Sequence, residues 1–205
     1  MDLTSAISPE RQRMMDYLTV RATSMTPQNL LARMRQATEE FEATIRGLDQ
    51  ELGRAAMPPG EWTIAEVVDH VAQTQIRAAY ELRDLLEGRR PPGPPVYDAL
   101  VSGAGRWASW NDLVAGVLAA NAEFDRVLAS ASERNSSFTP TARTILVVNR
   151  KLMGGVIEPE VFEAELDWKG YAMVQRLHLL DHRTQVRKTL VATGLSQRAS
   201  TRDSA

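Results

Sequence analysis

The chain has 205 residues, 43% apolar and 24% charged, and its 24 basic and 26 acidic side chains leave a net charge of −2. Such a chain can bury a core as one globular domain, and its balanced charge gives no electrostatic case for nucleic acid or an anionic membrane as its main partner. There is no cysteine, which excludes disulfides, thiolate nucleophiles and sulfur-ligated metals and suits a reducing compartment.

The first twenty residues carry an early acid, no basic leader and no apolar run. No stretch reaches the ~18 uninterrupted apolar residues of a membrane span. The expectation is a soluble, cytoplasmic protein. Residues 1–25 read as an N-terminal extension in which Ser8-Pro9-Glu10 opens a short helix to about Leu18. A helical domain over 26–194 follows, then a frayed, disordered tail over 195–205.

Thr26-Pro27 marks a helix start, with a capping hydroxyl and a proline at the first helical position. Leu30, Leu31, Met34, Ala37, Phe41, Ile45 and Leu48 recur at helical spacing and predict a helix over about 27–51. Pro58-Pro59-Gly60 ends the connection. In Trp62-Thr63-Ile64-Ala65-Glu66-Val67, Thr63 and Glu66 form a capping box, with Trp62 and Val67 placed as a hydrophobic staple. This second helix runs to about Glu87 and is stopped by Gly88.

Residues 88–108, GRRPPGPPVYDALVSGAGRWA, carry four prolines in five positions and predict a stiff extended strap. Ser109 and Asp112 cap a third helix to about Ala131. Over 132–166, Thr144-Ile145-Leu146-Val147-Val148 has the composition of a strand. Thr139-Pro140 and Gly154-Gly155 look like helix punctuation and no strand partner is evident, so helix is the expectation. A fourth helix runs from about Asp167 to Gly194. The fold class is therefore all-α: a four-helix bundle with long connections between helices two and three and between three and four.

All three histidines fall on these helices. His178 and His182 are four residues apart and share a face, and a bundle can set His70 opposite them. Three imidazoles suit zinc, nickel, iron or cobalt and leave coordination positions open as catalytic sites do, and the expected ion is zinc or nickel first, iron or manganese after them. A His-x-x-x-His pair alone is weak, and Leu179 stands where the zincin signature needs a glutamate. There is no G-x-S-x-G elbow and no glycine-rich phosphate loop.

Glu66 and Gln185 are the candidate catalytic residues. Glu66 lies one turn from His70 as a potential general base, but its capping duty already accounts for it. Gln185 lies one turn from His182 and is equally well read as an orienting group or a buried amide. Asp69 and Asp181 read as surface salt-bridging acids. The four tryptophans read as packing at helix ends, and Arg183, Arg187, Lys188, Arg198 and Arg202 as a solvated face.

Trp62-Thr63-Ile64-Ala65-Glu66-Val67-Val68-Asp69-His70, with the later His178-x-x-x-His182-x-x-Gln185, resembles the DinB-like (DinB/YfiT-type) metal-binding four-helix bundle family over about residues 27–193. The resemblance implies an up-down-down-up bundle, often a homodimer, with a divalent metal on His70, His178 and His182. It also implies a small-molecule substrate and relatives that are thiol-dependent S-transferases, hydrolases or isomerases using a low-molecular-weight thiol. The alternative is a non-catalytic metal-binding or stress-related interaction bundle. The chain departs from the family pattern in its N-terminal extension, its proline-rich strap and the length of 132–166.

Overall fold

A computed structural model describes residues 7–55, 57 and 60–192. The expected tail at 195–205, the Gly194 stop, Arg198, Arg202 and the Pro58-Pro59 break lie outside the described residues. Seven α-helices are present among them: α1 (Pro9–Asp16), α2 (Pro27–Arg46), α3 (Gln50–Gly53), α4 (Ile64–Leu86), α5 (Ala104–Trp107), α6 (Trp110–Ala129) and α7 (Trp168–Ala192). A single sheet adds β1 (Ala142–Lys151) and β2 (Ile157–Leu166). No helix among the described residues is long and apolar enough to cross a membrane.

The helix starts are set by local chemistry. The Thr26 hydroxyl accepts from Asn29 N–H ahead of α2, and Thr63 and Glu66 complete a reciprocal capping box at α4. The Ser109 hydroxyl caps α6, and Asp167 accepts from Gly170 N–H at the start of α7. Gly88, at φ +75°, closes α4, with Arg89 N–H reaching back to the Asp84 carbonyl.

α2, α4, α6 and α7 are the long helices, and each packs on two others: α4 on α6 and α7, α2 on α7 and α6. His70 meets His178 and Glu81 meets Tyr171, so α4 and α7 run antiparallel. Arg176 reaches the Arg33 carbonyl and Arg183 pairs with Glu40, so α2 and α7 run parallel. Phe41, Phe124, Leu30, Ile45, Leu82, Leu128 and Met173 are fully buried between them. Each contributes roughly 1.5–3 kcal/mol through removal of apolar surface from water. The segment before residue 26 also feeds this core, because Leu18 and Ala22 are fully buried and Lys169 donates to the Thr23 and Met25 carbonyls.

The direction of α6 explains the strap. Glu66 pairs with Arg106 just before α6, and Arg83 with Glu123 within it, so α6 runs parallel to α4. The chain must therefore return along the whole of α4 before α6 begins. The 23 residues of α4 rise about 34 Å at 1.5 Å each, which extended polyproline-like chain at 3.1 Å per residue covers in about eleven. Arg77 donates to the Pro94 carbonyl on the way. Gly105 then lies so close to the first turn of α4 that a Cβ there would stand 2.8 Å from the Ala65 carbonyl oxygen and the Glu66 Cα.

Two expectations are corrected. The helix expected over 27–51 ends at Arg46, and Asp49 then caps the separate turn α3 by accepting from Leu52 N–H. The segment 132–166, expected to be helical, holds an antiparallel hairpin, so the chain is not purely α. The missing partner strand is Ile157–Leu166. There Phe162, Ala164 and Leu166 point to the core while Val161, Glu163 and Glu165 point out, the period of two that marks a strand. Gly154 and Gly155 both sit at positive φ and reverse the chain rather than end a helix.

Candidate metal centre

The antiparallel crossing of α4 and α7 brings the three histidines together. His70 Nε2 lies 2.9 Å from His178 Nε2, and His182 Nε2 lies 3.0 Å from the same atom. They form the only cluster of metal-ligating side chains of its kind among the described residues. The i, i+4 spacing stacks His178 and His182 on one face of α7, as the spacing required.

The outer nitrogens decide the tautomers. His70 Nδ1–H donates to the Leu100 carbonyl at 2.9 Å, and His182 Nδ1–H donates to Gln185 Oε1 at 2.8 Å. Both rings therefore turn bare Nε2 lone pairs inward. His178 can give a proton to one of them and not to both, while its own Nδ1 is buried without a partner. Lone pairs facing across 3 Å repel unless a cation lies between them. Nitrogens bound to one ion at about 2.0–2.1 Å stand roughly 2.9–3.4 Å apart, so both distances to His178 fit a divalent metal, and all three ligand atoms lie within 4.8 Å of one another.

Burial keeps the cluster neutral and so ready to bind a cation. It lowers His70, with the Leu100 carbonyl and Asp69 acting the other way. It drives His178 well below the usual histidine range, and the neighbouring His182 and His70 push the same way. It lowers His182 to about 4, with His70 adding and Gln185 opposing.

The other candidate residues divide. Gln185 orients His182. Glu66 gives one oxygen to the Thr63 N–H and hydroxyl and the other to Arg106, and its pKa is lowered chiefly by the Thr63 N–H bond. Its capping role is complete. Trp62 lies with its ring centre 5.0 Å from that of His70, so it walls the cluster as well as starting the helix. Asp181 is exposed, whereas Asp69, expected at the surface, is buried. It accepts from the Ser102 hydroxyl and from the Ser102 and Gly103 N–H groups, which fixes the strap where Leu100 meets His70.

Beside the cluster lies a cavity of about 180 Å³, lined by His70 and His178 at one end. α4 contributes Thr74, Arg77 and Glu81, and α7 contributes Gln175 and Tyr171, while the strap and β1 form the roof. Apart from Tyr171, which precedes His178 on the same face of the last helix, the sequence does not single these residues out. The available signal was that they continue the ligand faces, at four, seven and eleven residues after His70 and three and seven before His178. Glu81 takes the Arg77 Nε–H on one oxygen, at 2.6 Å, and the Tyr171 hydroxyl on the other, at 2.5 Å. Burial, with Glu81 adding, raises Tyr171 well above its usual pKa, so it stays a protonated donor.

A model of the DinB superfamily matches residues 33–151, more than half of the chain. The chain belongs to the DinB superfamily. Members of that superfamily bind metal, in keeping with the clustered histidines. The matched stretch of this DinB-superfamily protein contains His70 and the strap but ends before β2 and α7, so the geometry rather than the match brings in His178 and His182. No curated protein and no solved structure matches the chain.

Proposed function

We propose that this DinB-superfamily protein is a metal-dependent enzyme acting on a small molecule, of the S-transferase, hydrolase or isomerase type. The observation that carries this reading is the cavity that opens directly onto His70 and His178, where three inward Nε2 atoms meet. His70, His178 and His182 would hold the metal, zinc or nickel first and iron or manganese after them. When bound, the ion supplies Lewis acidity and lowers the pKa of a nucleophile such as water or a small thiol.

The chain's own residues do the rest. The Leu100 carbonyl and Gln185 hold two imidazoles in the metal-binding tautomer. Trp62 and the strap shield the cluster from bulk water. Tyr171 holds a proton beside the cavity, and Glu81 keeps its hydroxyl in place. A homodimer is part of the same proposal, by likeness to the family.

One observation favours the second reading, a non-catalytic metal-binding bundle: Glu66 and Gln185 are both already engaged in positioning bonds. Cobalt-substituted protein separates the two. An open site gives a thiolate charge-transfer band with 2-mercaptoethanol, and unchanged spectra in the presence of thiol would reject the enzyme reading.

A further inference from the structure

The far end of the cavity carries two guanidinium groups. Arg77 comes from α4 and Arg143 from β1, elements far apart in sequence that the fold brings to one small space. Neither is used up. Arg77 gives Nε to Glu81 and Nη2 to the Pro94 carbonyl, at 2.6 and 3.3 Å, which leaves its Nη1 edge. Arg143 has Nη1 near Glu163, at 3.5 Å, with its cross-strand neighbour Glu165 also drawn to its charge, and the Glu163 carboxylate receives the Tyr97 hydroxyl as well.

Each guanidinium is paired with an acid and keeps a free edge. Glu81 gives one oxygen to Arg77 and the other to Tyr171, Glu163 and Glu165 lie by Arg143, and Asp98 is an exposed residue of the strap. The walls between the two ends carry polar atoms with nothing to bind. Gln175 is only 5% exposed and its Oε1 has no partner, and the Thr74 hydroxyl is buried and unpartnered. Buried polar atoms left unsatisfied cost stability, so their place along a cavity wall is that of a ligand's hydrogen-bonding groups.

We infer that Arg77 and Arg143 form a carboxylate subsite, and that the substrate is a short carboxylic acid whose opposite end faces the histidines. Guanidinium forks match carboxylates in geometry as well as charge. A cavity of about 180 Å³ has room for a small acid between the arginines and the histidines. The inference rests on the metal reading above for the role of the opposite end, while the arginine end acts without a metal.

Calorimetric titration with succinate and with its neutral analogue succinamide, on metal-free and zinc-loaded protein, tests it. Succinate should bind at least tenfold more tightly than succinamide in both forms, and more tightly still with zinc. Arg143→Gln and Arg77→Gln should each weaken succinate at least fivefold and leave succinamide unchanged. Arg143 is partly exposed and packs in no core, so its variant decides the matter even where Arg77→Gln disturbs Glu81. Equal binding of the two ligands, no binding of either, or full discrimination in Arg143→Gln would overturn the subsite. Discrimination that zinc does nothing to strengthen would keep the subsite and count against the metal reading.

Discussion

Between α4 and α7, three imidazoles turn their Nε2 atoms to a common point, and the outer nitrogens of two of them are held by Leu100 and Gln185. Between α2 and α6, Asp125 is also largely buried, but one of its oxygens has no partner, and Asn121 Nδ2 reaches Glu42 instead. Burial raises Asp125 to about 6, with Glu42 and Glu39 adding and Arg35 opposing. Both seams bury polar groups at a cost. Only in the first do the donor atoms converge, so that a cation can offset that cost. In the second the group's escape is to take up a proton.

The largest expected effect comes from breaking the convergent seam. His178→Ala should lower zinc affinity at least a hundredfold in equilibrium dialysis, while Asp125→Asn leaves it unchanged. Equal losses in the two variants would erase the distinction between the seams.

The pH dependence of the metal-free protein sharpens the contrast. The folded-state pKa of His182 is depressed to about 4 from an unfolded value near 6.5. The stability it carries is full above about pH 6.5 and is lost as pH falls toward 4, by about 3 kcal/mol. Urea denaturation across pH 4–8 should show at least this slope, and His182→Ala should reduce it while His70 and His178 keep the remainder. A wild-type profile already flat across that range would contradict the buried, neutral imidazole.

Asp69 links the strap to the metal seam. Asp69→Ala removes the acceptor of three hydrogen bonds and frees the loop that orients His70. It should cost about 2–3 kcal/mol of stability and roughly tenfold to a hundredfold in metal affinity. A variant that unfolds earlier yet binds zinc normally would separate the strap from the site.

The smallest effect lies in the second seam. For Asp125 the folded pKa, about 6, exceeds the unfolded value, so its penalty is absent below about pH 3.8 and complete above pH 6. With its partial exposure discounted for solvent screening, Asp125→Asn should add about 1 kcal/mol at pH 8 and nothing at pH 3.5. Equal effects at both pH values would place the cause elsewhere.

The clustered histidines were legible because helical spacing and capping are local. Thr63 and Glu66 fix the start of α4, and four residues separate His178 from His182. The remainder depended on long-range pairing. Thr144–Val148 read as a strand without a partner because Pro159 and the glutamates of β2 obscure an alternation that becomes plain only against β1. Asp69 read as a surface acid because its partners, Ser102 and Gly103, reach it only after the strap has turned back along α4. Arg77 and Arg143 share a cavity for the same reason, and no spacing along the chain announces it.

Three imidazoles so placed should together hold one ion. Elemental analysis of protein prepared without a polyhistidine tag, loaded with zinc or nickel and desalted, tests it most directly. The expected result is about one equivalent of metal per chain, lost in both His70→Ala and His178→Ala. Protein that retains no metal after loading, or keeps it in both variants, would contradict the account.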